Sequence, residues 1–190
     1  MEKKNQQNKV YLEKINRQVA SELNQWGNFS DPRLSGYNYG NLSSFEISFW
    51  YSSVTTPRKK YFAVKRTSDN RFIGFLGLKN YNPLTKKAKL GIVFDPNFTS
   101  MGYGYAAMEI LLDYYFNTLK FRELLLEVNL FNDRALRLYK SLGFKETGLT
   151  SEVFENQDIE FDQRYFEEKR GLIYSKILKM KLTKDDYYGI

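Results

Sequence analysis

Leu90 to Phe116 reads "LGIVFDPNFTSMGYGYAAMEILLDYYF", and the fold turns on its centre. A strand-like run, Leu90 to Phe94, meets Asp95-Pro96. Gly102-Tyr103-Gly104 follows, and then an apolar periodicity of helical type. Gly102 to Ala107 matches G-x-G-x-x-A. Glycines let backbone N–H groups converge and a pyrophosphate come close, and a helix start adds its own N–H groups and the positive end of its dipole. The stretch therefore reads as a diphosphate grip, with a plain strand-to-helix turn as the competing reading.

Two familiar nucleotide loops fit poorly. In a Rossmann unit the first glycine follows its strand almost at once, whereas Asp95 to Met101 intervene here, although Glu127 stands where that motif wants an acid. The chain before the turn reads as an antiparallel meander, and too little follows to build a series of parallel repeats. A Walker loop is excluded because no G-K-[ST] follows the glycines.

Working outward, the spacing predicts a short strand at Val10 to Glu13. A helix is expected over Asn16 to Trp26, with Val19, Ala20, Leu23 and Trp26 on one side. "NFSDPRLSGYNYGN" is a loop by its turn residues. Ser43 with Glu46 forms a capping box for a helix over "SSFEISFWYSSV". Tyr61 to Arg66, Arg71 to Lys79 and Ala88 to Phe94 make the meander.

A helix is expected over Ala106 to Leu119, its stripe formed by Ala107, Ile110, Leu111, Tyr114, Tyr115 and Thr118. Leu124 to Val128 is a buried strand, Asn132 to Leu142 a third helix, and Gly143 its C-terminal stop. Leu172 to Leu182 alternates as a final strand, while the polar segment between, 151–170, shows no clear pattern. Residues 1–190 read as one domain with loose termini at 1–9 and 183–190.

Composition removes whole chemistries. The 190 residues contain no cysteine and no histidine, so thiol nucleophiles, cysteine-ligated metals and serine–histidine machinery are absent. Catalysis has to run on carboxylates, Tyr, Lys, backbone dipoles or water. No apolar run nears the roughly 18–20 residues needed to cross a bilayer, and the start lacks a secretory pattern, so a cytoplasmic protein away from membranes is expected. The net charge of +7 suggests an anionic partner but comes from short scattered clusters, which is weak support for nucleic acid.

The order strand, Asp-Pro, short loop, G-x-G-x-A, amphipathic helix, then "LLLEVNLFNDRALRLYKSLGFKETG" resembles the GNAT superfamily of acyl-CoA-dependent N-acetyltransferases. The N-x-R-A-x-x-L-Y-x-x-x-G-F half, Asn132 to Phe144, is the more specific part. The pattern is most similar to the ribosomal-protein and small-amine acetyltransferases. This resemblance implies an α+β fold: a mixed, mostly antiparallel sheet with helices on both faces.

It also implies acetyl-CoA as cosubstrate, with no metal, and an amine acceptor: a small amine, an antibiotic or a protein N-terminus. Ile92, Val93 and Phe94 would pair through their main chain with the pantetheine arm. Met101, Gly102, Tyr103, Gly104, Tyr105 and Ala106 would present amides to the pyrophosphate, with Thr99 replacing the family's long polar residue. Asn132, a helix cap on local grounds, would also hydrogen-bond the cofactor.

Tyr139 falls at the family's general-acid position; by periodicity alone it is a core aromatic. Lys89 stands where many relatives carry a glutamate, which leaves Glu127 as a candidate base beside a water relay. Tyr37, Tyr39, Phe49, Trp50 and Tyr51 are candidates to line the amine pocket or simply to fill the core. The acidic run Glu155 to Glu168 and the net positive charge point to acceptors of opposite sign. A monomer or homodimer is expected, and a CoA-binding sensor on the same fold is the alternative to an enzyme.

Overall fold

The computed structural model describes residues 9–189, so residues 1–8 of the expected loose N-terminus lie outside them. The strands are β1 (Val10–Lys14), β2 (Lys60–Arg66), β3 (Phe72–Asn82), β4 (Lys87–Phe94), β5 (Glu123–Asn129), β6 (Lys145–Val153), β7 (Phe166–Lys169) and β8 (Leu172–Thr183). The helices are α1 (Arg17–Ser21), α2 (Ser44–Val54), α3 (Tyr103–Asp113), α4 (Asp133–Ser141) and α5 (Lys184–Gly189). All eight strands join one sheet in the order β1-β2-β3-β4-β5-β8-β6, with β7 alongside β8. Every pairing is antiparallel except β4 with β5, which the α3 crossover makes parallel.

Alternation along the strands divides the core in two. Phe62 and Val64 of β2 face α3 and α4, while Tyr61 and Ala63 face α1 and α2. Helices therefore cover both faces, as expected. The capping box is present: Ser43 Oγ accepts from Glu46 N, and the Glu46 carboxylate accepts from Ser43 N at 2.8 Å.

The parallel pair is what makes a site. β4 and β5 are in register only at Lys87↔Glu123, Ala88↔Leu124 and Lys89↔Leu125. Beyond that, β4 continues against β3 up to Phe94 and β5 continues against β8 up to Asn129, with no ladder between them. The sheet is split from one end. One edge of β4 from Leu90 onward keeps its backbone polar groups available.

Four expectations need correction. The α1 region is α-helical only to Ser21 and continues as a 3₁₀ turn, Glu22–Gln25, though the expected face is buried. α3 starts at Tyr103 rather than Ala106, and after Asp113 it widens into a π turn, Tyr114–Thr118, in which Leu119 N donates to Tyr114 O at 2.9 Å. The extra residue turns both Tyr115 and Phe116 into the core and leaves Thr118 exposed.

The segment 151–170 is not a plain loop. It completes β6, supplies β7, and seats Phe154, Ile159 and Phe166 on Phe131 in a third apolar cluster. The other terminus, expected loose over 183–190, is ordered through α5. Thr183 and Asp186 form a reciprocal cap, Asp186 pairs with Lys145, and Tyr187 stacks on Phe116 at 4.9 Å.

Candidate active site

A cleft of about 750 Å³ opens where β4 and β5 part, a size suited to a small-molecule ligand. Its walls include Leu90 to Phe94 of β4, Glu127 to Asn129 of β5, the loop before α3 and the inner side of α4. At one end the α3 N-terminus points its amides outward. Gly102 adopts φ +83°, which an L side chain resists, and serves as helix cap without a side-chain bond. Ala106 N already donates to Gly102 O at 3.1 Å, so, contrary to the expectation, that amide is engaged within the helix. The amides before it, Tyr103, Gly104 and Tyr105, are the ones a helix start leaves unpaired. Met101 is 53% exposed and, like Tyr103 and Ala106, is not part of the cleft wall.

Asp95 fixes this loop. Its side chain is fully buried, and Oδ1 accepts from Asn97 N and from Gly27 N, both at 3.0 Å. The bond to Gly27 ties the chain after α1 to the turn leading into α3. Nothing in the local pattern of Asp95-Pro96 shows that partner, which is 68 residues away.

α4 supplies the other wall. Asn132 caps it, Oδ1 accepting from Ala135 N at 3.2 Å, which leaves its amide NH₂ for the cleft. Tyr139 lines the same cleft at 5% exposure, its ring 5.7 Å from Phe144. Burial pushes the phenol well above its ordinary value of 10, with neighbouring Tyr37 adding to the rise. The group is thus a neutral O–H donor across the physiological range. Core aromatic and cleft-facing phenol are the same residue.

Glu127 also lines the cleft, but its carboxylate is ion-paired with Lys89 across the point where the strands part. Of the aromatic candidates, Tyr37, Tyr39 and Trp50 reach the cleft. Phe49 is 71% exposed, and Tyr51 packs into the α1–α2 cluster under Arg17. Asn129, the last residue of β5, went unnoticed in the sequence. It lines the cleft beside Tyr37, and its Oδ1 is buried with no hydrogen-bond partner among the described residues. Its place two residues after Glu127, on the same face of β5, was the available signal.

Among the described residues no group of three acidic side chains is placed to hold a metal ion, and no helix is long and apolar enough to cross a membrane.

A sheet split beside a glycine-opened helix, with a capped helix following the next strand, defines the acyl-CoA N-acyltransferase type of fold. Residues 9–145 match the acetyltransferase (GNAT) domain, and the chain belongs to that family. It is similar to the spermidine N(1)-acetyltransferase of Escherichia coli strain K12, 30% identical over 89 residues, 46% of this chain and 48% of that protein. The spermidine N(1)-acetyltransferase of Vibrio cholerae is 30% identical over 99 residues, 52% and 57% of the two chains. The chain thus spans about half the length of the curated relatives it matches.

Across nearly its whole length it resembles the crystal structure of the Vibrio cholerae spermidine N-acetyltransferase in complex with CoA and spermine, with a TM-score of 0.71, 21% identity, and coverage of 95% and 98%. A structure of the same enzyme with manganese ions gives a TM-score of 0.68 at 21% identity, covering 95% and 96%. These likenesses show the fold.

Proposed function

We propose that the protein is an N-acetyltransferase that binds acetyl-CoA in the split between β4 and β5 and passes the acetyl group directly to a primary amine. One observation carries this reading. The unpaired edge of β4, the α3 start at Gly102, Gly104 and Tyr105, Asn132 and Tyr139 all border a single cleft. The relatives named for spermidine acetylation support an amine as acceptor.

The residues present fit the cosubstrate. Main-chain groups of Ile92, Val93 and Phe94 would hold the pantetheine arm. The amides of Gly102, Tyr103, Gly104 and Tyr105, with the α3 dipole, would hold the pyrophosphate. Acetyl-CoA supplies an activated thioester. Tyr139, kept protonated by burial, holds a proton for the departing sulfur. The orphan Asn129 Oδ1 offers an acceptor for an amine N–H. Holding both reactants in one cleft lowers the entropic barrier to their encounter.

The test is direct. Acetyl-CoA titrated calorimetrically should bind, and free thiol should appear when an amine panel is added. Binding without thiol release from any amine would favour a CoA sensor, and no binding would end the proposal.

A further inference from the structure

We propose that the acceptor end of the cleft selects a primary amine bearing an anionic group, a carboxylate or a phosphate, with Lys79 and Lys59 as the seat of that anion. This deepens the acetyl-transfer reading and rests on it.

The geometry begins with strand alternation. Ala88, Leu90, Ile92 and Phe94 of β4 pack beneath α3, while Val93 joins the α1–α2 cluster. Lys89 and Gly91 therefore share the Val93 face. In the β3–β4 ladder Lys79 sits directly opposite Lys89. Like charges at such a position repel and weaken a sheet, so the pair needs a countercharge.

Glu127 forms its ion pair with Lys89 and reaches Lys79 only as a weaker, longer-range charge. Lys79 has no ion pair or hydrogen bond among the described residues, and its side chain arches over Gly91, where a Cβ would come within 3.2 Å of Nζ. Lys59, on the same wall, donates to the Ser53 carbonyl at 2.7 Å and has no carboxylate partner among the described residues. Lys79 is exposed as a residue, and its ammonium end is partly shielded from water. That burial, with Lys89 and then Lys59 nearby, holds its pKa below the ordinary lysine value against a partial offset from Glu127.

These lysines are misplaced for the phosphates of CoA. Phe94 lies five positions along β4 from Lys89, about 17 Å of extended chain, before the α3 loop even begins. The other charges on the wall, Arg134 and Glu152, lie farther along the split from Lys89. Arg134, in the first turn of α4, lies over Phe29, and Glu152 of β6 is level with Ser175 of β8, beyond the Asn129↔Ile177 pair. The closed end thus carries Lys59, Lys79 and the neutralised Lys89–Glu127 pair. A bound carboxylate or phosphate there gains two charge-assisted partners, while a polyamine would bring cations onto cations.

Matched acceptors test this. Lysine against cadaverine, and phosphoethanolamine against ethanolamine, differ within each pair by the anion alone. Thiol release should give the anionic member at least a tenfold higher kcat/KM in at least one pair, and the pair that responds tells carboxylate from phosphate. Lys79→Met should collapse that ratio towards one while the KM for acetyl-CoA changes less than twofold. A preference for cadaverine or spermidine, or a ratio unchanged in Lys79→Met, overturns the proposal.

Should acetyl-CoA bind without turnover of any amine, only the catalytic reading falls. The same pairs titrated into the CoA-loaded protein then decide: anion-dependent heat lost in Lys79→Met supports the seat, and equal or absent heats reject it.

Discussion

Lys89 and Glu127 are ion-paired across the last rung joining β4 to β5, at the point where the sheet divides. The pair closes the inner end of the cleft and engages the Glu127 carboxylate. A carboxylate already accepting from an ammonium is poorly placed to take a proton from an incoming amine. The structure thus favours a pinning role for Glu127 over that of base. Glu127→Gln should lower kcat by less than tenfold, whereas a loss of a hundredfold or more would restore Glu127 as the base.

Gly104 is the second residue of α3, and a side chain there would meet Leu138 and Phe94 at 3.4 and 3.7 Å. Those are ordinary contacts, so Gly104→Val should fold, with its added methyls filling the approach to the free amides. Calorimetry should show acetyl-CoA affinity reduced by about tenfold or more, equal to 1.4 kcal/mol, with circular dichroism unchanged. Wild-type affinity would refute the placement of the pyrophosphate.

Tyr139→Phe keeps the packing and removes the proton donor. kcat should fall on the order of a hundredfold with little change in the KM for acetyl-CoA. Because burial raises the phenol's pKa, the protonated, active form is present at all lower pH and is lost only as pH rises through that elevated value. The wild-type rate should therefore show no alkaline loss from Tyr139 below pH 10, the ordinary tyrosine value. Equal kcat in the two proteins would make the residue packing alone.

Asp95→Ala removes a buried acceptor and strands the amides of Gly27 and Asn97. The cost should be about 2–4 kcal/mol in urea unfolding, since each unpaired buried donor pays its desolvation. Loosening of the α3 loop should also weaken acetyl-CoA binding. A loss below 0.5 kcal/mol would show that water satisfies these groups.

Asp186 holds α5 through Thr183 and Lys145, and the hydrogen bond from Lys145 is the main cause lowering its carboxyl to about 2. A depressed folded pKa means stability that is present above the ordinary value of 3.8 and fades as pH falls towards 2. Asp186→Asn should lower Tm by roughly 2–4 °C at neutral pH, and the difference from wild type should shrink across that acid window. A constant difference would exclude the charge as its source.

Much of this molecule is readable from near neighbours in the sequence. The Ser43–Glu46 box, the Asn132 cap, the Gly143 stop and the strand alternation act within a few residues, where backbone geometry and side-chain period leave little freedom. The Thr183–Asp186 cap had the same local form and was legible too, although the polar end of the chain suggested fraying. The Gly102-to-Gly104 turn and the Asn132-to-Phe144 run likewise carried the family resemblance.

Other features follow from residues distant in sequence and needed the folded chain. These are the short β4–β5 ladder, the tie from Asp95 to Gly27, the stacking of Lys79 opposite Lys89, and the capture of Glu127 by Lys89. Such partners are chosen by how the sheet twists and splits, and no period in the sequence records that choice. The chain by itself names where a diphosphate can be gripped. The charge waiting at the closed end of the cleft is decided only when two lysines from neighbouring strands are brought face to face.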